Sequence, residues 1–195
     1  MPRVIAAGMK NKAVTRYRSR TPALASGTVL EVGIGSGLNL PYYTRDVTRL
    51  IGLEPSALLR DKAAEAARHA LFPVELLAAG AENIPLESGS VDAVVSTWTL
   101  CSIPDLAGSL AEMRRVLRPG GRLLFFEHGR APDAAVSRWQ DRLAPVFRGL
   151  AGCNPNRQID ADIVAAGFRM VDIERGYLEG PRFVSWHFVG QATPA

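Results

Sequence analysis

A carboxylate and three glycines stand together in Glu31-Val32-Gly33-Ile34-Gly35-Ser36-Gly37. Glycine lets the backbone turn sharply and lets a ligand approach with no Cβ in the way. The spacing is G-x-G-x-G, which departs from the G-x-G-x-x-G of dinucleotide sites. The following Leu38-Asn39-Leu40-Pro41 is not a clean helix start whose amides would hold a pyrophosphate. A carboxylate inside the loop favours a cationic ligand over an anionic one. About twenty residues on, Glu54 and Pro55 mark a strand-to-helix corner, where an acidic side chain meets ribose hydroxyls in nucleotide-binding α/β sheets. A ligand-free tight turn is the alternative for the loop, and a helix-capping carboxylate is the alternative for Glu54.

Among groups able to move protons, His128 closes an apolar run, on the sheet edge where such folds bind ligands. It reads either as a base or substrate orienter or as a structural hydrogen bond to the next loop. His187 lies inside an apolar run and reads as packed, and His69 reads as a helix-end partner. Cys101 reads as a small buried hydrophobe or a cleft residue, and Cys153 falls in a Gly/Asn/Pro loop. The two cysteines are far apart, without metal-ligand spacing, so no metal site and no disulfide are expected. Trp98, Trp139, Phe147 and Trp186 are candidates for an apolar substrate wall, with ordinary core packing as the alternative. In residues 129–158, Asp141, Arg142, Arg148 and Arg157 either orient a polar substrate or decorate a solvated helix face.

Positioning these groups requires alternating strands and helices. Residues 28–33 (TVLEVG), 47–54 (VTRLIGLE), 73–78 (PVELLA), 91–97 (VDAVVST) and 122–128 (RLLFFEH) read as five strands. Their consecutive apolar positions fit strands buried on both faces. Residues 56–70 read as a helix with Ser56 as its N-cap. Residues 106–117 repeat apolar positions at helical spacing behind Asp105, with Pro119-Gly120-Gly121 as the stop. Residues 134–150 and 161–166 also read as helices, the latter ending at Gly167. Residues 168–175 and 182–190 close the chain as two strands. Their connection is too short for a parallel crossover, so they pair antiparallel. The expected architecture is α/β: a Rossmann-like three-layer sandwich on a seven-stranded, mostly parallel sheet with an antiparallel last hairpin.

A chain of 195 residues suits one domain, 1–195. Within it, 1–27 reads as a helical cover, 28–128 as a ligand-binding core, and 129–195 as a substrate-side segment plus closing hairpin. With 47% hydrophobic and 22% charged residues the chain is not disordered. The net charge of +4 comes largely from Arg3, Lys10, Lys12, Arg16, Arg18 and Arg20. Tyr17 is the single aromatic residue among them, too few for a nucleic-acid stacking platform, so no nucleic acid is expected. No apolar run approaches a membrane span and no signal peptide is read, so a cytoplasmic setting is expected. The oligomeric state is not legible.

E-x-G-x-G-x-G, the second-strand Glu54, Gly80-Ala81-Glu82-Asn83-Ile84-Pro85, Ser90-Val91-Asp92-Ala93-Val94-Val95 and Leu117-Arg118-Pro119-Gly120-Gly121 resemble the successive motifs of class I S-adenosylmethionine-dependent methyltransferases. That cofactor carries a sulfonium and an ammonium and no phosphate, in keeping with Glu31. The resemblance implies that Gly33, Gly35 and Gly37 shape the loop around the methionine moiety, with Glu31 near its ammonium. It implies that Glu54, beside Pro55, takes the ribose, that Ala81 and Glu82 flank the adenine, and that Thr97 lies near the methionine end. Many relatives carry Asp where this chain has Gly80, so Glu82 or a backbone carbonyl must replace that carboxylate. Leu100-Cys101-Ser102, Phe125-Phe126-Glu127-His128, Gly152-Cys153 and His187 resemble the small methyltransferase-like branch that includes thiol S-methyltransferases. The implied activity is methyl transfer to a small-molecule acceptor, a thiol among the candidates. A quinone or sterol C-methyltransferase and a non-catalytic cofactor-binding module are the alternatives. Nucleic-acid methylation is disfavoured, because Ser96-Thr97-Trp98-Thr99 stands where an N/D-P-P-Y motif would be.

Overall fold

The computed structural model describes residues 12–195. The strands are β1 (Gly27–Val32), β2 (Val47–Leu53), β3 (Val74–Leu77), β4 (Val91–Thr97), β5 (Leu117–His128), β6 (Phe168–Tyr177) and β7 (Trp186–Pro194). They form one sheet in the order β3-β2-β1-β4-β5-β7-β6. Pairings from β3 across to β5 are parallel, while β7 runs antiparallel to both β5 and β6. The expected sheet and closing hairpin are therefore present.

Successive side chains of a strand point to opposite faces, and the core divides on that rule. Leu30, Ile51, Val94 and Leu123 join one apolar cluster, whereas their neighbours Val29, Leu50, Val95 and Leu124 join another on the opposite face. Helix α3 (Leu106–Val116) buries Leu110, Met113 and Val116 against the first cluster. Helix α2 (Ala57–Ala67) sets Ala63 into the second. Helix α1 (Lys12–Ala23) packs Val14 beside Phe126, Leu178 and Val189, next to the cleft described below. Arg3 and Lys10 lie outside the described residues.

The expected caps are in place: the Leu59 amide donates to Ser56 Oγ and the Gly108 amide to Asp105 Oδ1. Several boundaries differ from the sequence reading, two of them with a clear local cause. Residues 182–190 are not all strand, because Arg182–Ser185 forms one helical turn, α6, behind Pro181. The Leu178 amide bonds the Ser185 carbonyl, so the hairpin resumes only at Trp186. Helix α3 ends at Val116, before Pro119-Gly120-Gly121, and β5 already pairs at Leu117 with a register shift ahead of Arg122. The remaining helices are α4 (Ala134–Ala151) and α5 (Ile159–Ala165).

Candidate active site

The sheet order reverses between β1 and β4, and open α/β sheets bind ligands beyond the carboxyl ends of the strands at such a point. A cleft of about 680 Å³ lies there. Glu31, Gly33, Gly35, Glu54, Pro55, Ala81, Glu82 and Thr97 all line it, so eight of the ten residues expected at the site converge. Gly37 and His128 do not line it.

The glycine loop is held over β2. Ile34 donates its amide to the Leu53 carbonyl, and its side chain fills the space above Gly52, where a Cβ would lie 2.7 Å from Ile34 Cδ1. Gly33 has φ +67°, and a Cβ there would stand 2.5 Å from both Thr99 Oγ1 and Cγ2. A Cβ on Gly37, at φ +78°, would meet Leu40 and Ala66 instead, so this glycine seats the loop on α2.

Glu31, next to the last residue of β1, is almost fully enclosed, at 1% exposure. Asn39 Nδ2 donates to Glu31 Oε1 at 2.7 Å and to Thr97 Oγ1 at 2.8 Å, and Tyr43 Oη donates to Glu31 Oε2 at 2.9 Å. Burial pushes the Glu31 carboxyl up to about 7, although the Tyr43 and Asn39 hydrogen bonds and the nearby Arg18 charge oppose the rise. A buried carboxylate costs free energy unless a cation shares its site. Arg18 belongs to this network through Asn39 Oδ1 and lines the cleft. Sequence reasoning missed Arg18, Asn39 and Tyr43 as site residues, since their signal is only a shared proximity to Glu31.

At the other end, Glu54 Oε1 accepts the Ser56 amide at 2.9 Å, and Arg60 holds the Glu54 and Pro55 carbonyls. The capping bond leaves Glu54 acceptor capacity to spare on the cleft side. A Cβ on Gly80 would lie 2.6 Å from Glu82 Oε2. The Glu82 carboxylate therefore occupies the space that a side chain at position 80 would fill.

Beyond Thr97 the chain turns at Trp98, with φ +55°, its amide bonded to the Phe126 carbonyl. The buried Glu127 organises this turn, accepting from Ser96 Oγ at 2.7 Å, the Thr99 amide at 3.0 Å and the Leu100 amide at 3.1 Å. Burial, and then the charge of the nearby Cys101 sulfur, push Glu127 up to about 8. Trp98, Ile103, Pro104, Leu150 and Ala151 form a largely apolar far wall. The cleft thus offers three carboxylates, glycine backbone and an apolar end. That donor set fits a cationic adenosyl ligand and lacks a phosphate cradle.

A family model described as a methyltransferase domain matches residues 30–125. The human thiol S-methyltransferase TMT1B is 32% identical over 194 residues, covering 94% of this chain and 78% of that protein. Human TMT1A is 33% identical over 167 residues, covering 83% and 66%. A SAM-dependent methyltransferase of Thermotoga maritima shares the fold at a TM-score of 0.68, with 20% identity over 94% of this chain and 89% of its own. The chain belongs to the class I S-adenosylmethionine-dependent methyltransferases. Its cofactor is S-adenosylmethionine and its activity is methylation of a small molecule.

The remaining expected residues take their places in this methyltransferase as follows. His128 is 4% exposed and stacks on Trp98 with ring centroids 4.8 Å apart. Its Nε2 lies 3.1 Å from Cys153 Sγ, and its Nδ1 has no hydrogen-bond partner. Trp98 lines the cleft and His128 lies behind it, outside the lining. Burial works against a charged His128, but the neighbouring Cys101 sulfur and the Glu127 charge together raise the ring above its ordinary value. A hydrogen bond from Cys153 lowers Cys101 well below the ordinary thiol range, and that same bond, with burial, raises Cys153. His187 is packed as expected, 4.6 Å from the Tyr17 ring.

Of the proposed aromatic wall only Trp98 reaches the cleft, and Trp139 is 57% exposed on α4. Asp141 pairs with Arg130, Arg142 lies over Trp139, and Arg148 bonds Asn154, and none of the three lines the cleft. Arg157 instead grips the carbonyls of Leu100 and Ile103. Gln140, fully buried, accepts from the Ala131 amide and donates to the carbonyls of Gly129, Pro155 and Phe183. Both residues fasten residues 129–158 to the sheet edge. Among the described residues no helix is long and apolar enough to cross a membrane.

Proposed function

We propose that the acceptor of this methyltransferase is a small thiol, bound against Trp98, Ile103, Pro104 and Leu150 at the apolar end of the cleft. The observation that carries the proposal is the identity with human thiol S-methyltransferases, which extends over 94% of this chain in the case of TMT1B. The chemistry of the cleft supports it. Glu31 and Glu54 are already engaged in hydrogen bonds and His128 lies behind Trp98, so among the described residues at the apolar end of the cleft no carboxylate or imidazole lines the wall to deprotonate a weakly acidic acceptor. A thiol, with an ordinary pKa near 8.5, needs little help at neutral pH.

The same proposal assigns cofactor contacts. Glu31 holds the ammonium, with Gly33 and Gly35 admitting the methionine moiety and Thr97 fixing Asn39 beside it. Gly37 anchors the loop on α2. Glu54, held at its corner by Pro55, takes the ribose hydroxyls, and Ala81 with Glu82 flanks the adenine, Glu82 supplying the carboxylate that position 80 lacks. When bound, S-adenosylmethionine supplies an electrophilic methyl group on sulfonium. The chain's residues bind and orient the reactants and exclude water, the main contribution asked of a protein in such a displacement. The acceptor thiol gives its proton to solvent, its sulfur forms the new bond to carbon, and the electron pair of the broken bond departs with the cofactor's sulfur as a neutral thioether. His128 serves as a positioning residue that supports Trp98 from behind.

The chain divides in this reading as 1–27 cover, 28–128 cofactor core and 129–195 substrate side, within one domain. A reducing, cytoplasmic setting suits two free cysteines lying side by side. No nucleic-acid partner is invoked. Transfer of radiolabelled methyl from S-adenosylmethionine, measured across a panel of small thiols and a panel of quinones, tests the acceptor. Labelled thioether with silent quinones is expected. Labelled quinones with silent thiols would replace the proposal by the C-methyltransferase reading.

A further inference from the structure

Cys101 and Cys153 stand far apart in sequence, yet the fold brings their sulfurs and a ring nitrogen of His128 to within 4.8 Å of one another. Each donor comes from a different element. Cys101 lies in the 3₁₀ turn Leu100–Ser102 after β4, His128 ends β5, and Cys153 follows the left-handed Gly152 that closes α4. Cys101 and His128 are buried and Cys153 is half-buried.

The backbone around the cluster is fixed independently of the sulfurs. The Cys101 carbonyl accepts the Asn154 amide at 2.9 Å and Asn154 Nδ2 at 3.2 Å. Arg157 binds the carbonyls of Leu100 and Ile103 on either side of the turn. The donors are thus preorganised by hydrogen bonds that a bound ion would leave intact.

Two thiolates and one imidazole form a soft donor set, which selects Zn²⁺ over hard cations. With Zn–S near 2.3 Å and Zn–N near 2.0 Å, tetrahedral ligands stand about 3.6 Å (S to N) or about 3.8 Å (S to S) apart. The 3.1 Å between Cys153 Sγ and His128 Nε2, and the 4.8 Å bound on all pairs, bracket those values. A shift of under about 1 Å per side chain admits the ion. Two thiolates also neutralise its charge, as burial requires.

We propose that Cys101, His128 and Cys153 form a Zn²⁺ site with water as the fourth ligand, which bolts the loop after α4 to the ends of β4 and β5. That loop continues from Leu150 and Ala151, which line the cleft, so the ion would set the position of the acceptor wall. The proposal does not depend on the identity of the acceptor.

The chain contains no other cysteine and only two further histidines, so metal counting is clean. The full chain, stripped of metal and kept reduced with a phosphine, is dialysed against ZnCl₂ and its bound zinc measured by atomic emission. In parallel it is loaded with Co²⁺ and read for thiolate-to-cobalt charge transfer. Cys153→Ser, at the half-buried position, is the main variant. Cys101→Ala is the second, and circular dichroism checks the fold of both. About one equivalent of zinc with the charge-transfer band is expected in the wild type, and at least tenfold weaker zinc binding without the intense band in Cys153→Ser. Substoichiometric zinc in the reduced wild type would overturn the site. So would unchanged zinc affinity in both folded variants.

Discussion

With the cofactor ammonium at the enclosed Glu31, as proposed, cofactor affinity becomes a function of pH. In the ligand-free chain burial holds its carboxyl up at about 7, above an ordinary value of 4.5. The folded state therefore keeps a proton that the unfolded state has already lost. The stability this contributes is fully present below about 4.5 and is lost as pH rises through about 7, with an upper bound of roughly 3 kcal/mol. A cofactor ammonium at Glu31 reverses the preference, because a nearby cation favours the carboxylate. Binding must then expel the proton wherever Glu31 holds one. If bound Glu31 titrates near its ordinary value, affinity rises about tenfold between pH 6 and pH 8, with roughly half a proton released at pH 7. Titration calorimetry with S-adenosylhomocysteine, in two buffers of different ionisation enthalpy, reads both quantities. Glu31→Gln should bind more weakly at pH 8 and lose the added slope, which separates Glu31 from titration of the ligand's own amine. Tyr43→Phe removes a hydrogen bond that favours the carboxylate and should move the midpoint to higher pH. Equal wild-type affinities at pH 6 and pH 8, or an unchanged slope in Glu31→Gln, would refute the placement of the ammonium at Glu31.

Three further outcomes are expected. Gly33→Val strains a residue at φ +67° and drives side-chain atoms into Thr99, so it should destabilise the fold by about 1–3 kcal/mol and weaken cofactor binding at least tenfold; unchanged melting and calorimetric affinity would contradict this. Glu82→Ala should weaken adenosyl binding by about 1 kcal/mol, the worth of one hydrogen bond, and adding Gly80→Asp to that variant should restore it; no loss in the single variant would remove Glu82 from the adenine site. His128→Ala should lower turnover more than cofactor affinity, because it withdraws the support behind Trp98; equal turnover in variant and wild type would exclude a positioning role.

The parts of this protein legible in its sequence are those with local physical signatures. Residues 28–33 and 91–97 are read as strands because consecutive apolar residues serve two faces of one sheet, and Leu30 and Val29 do fall in different clusters. The glycine loop, Glu54 and Glu82 are legible because turn geometry and strand ends fix where they lie. The misreading of 182–185 has an equally local cause: Phe183-Val184 resembles strand sequence, while the Pro181 turn and the Ser185 carbonyl bond to Leu178 hold a helical turn. Arg18, Asn39 and Tyr43 escaped notice because they reach Glu31 only through the fold. The same holds for Cys101, His128 and Cys153, whose proximity is set by the order of β4, β5 and α4 and by no spacing along the chain. The aromatic wall and ordinary packing are not separable by composition, and Trp139, Phe147 and Trp186 do not reach the cleft.

The most direct measurement is a crystal structure of the chain with S-adenosylhomocysteine. The expected density has its amino-acid end at Glu31, Gly33 and Gly35, its ribose at Glu54, and its adenine beside Ala81 with its amino group toward Glu82. Density with the adenine at the Trp98 end, or a ligand bound away from the carboxyl ends of β1, β2 and β4, would contradict the assignment.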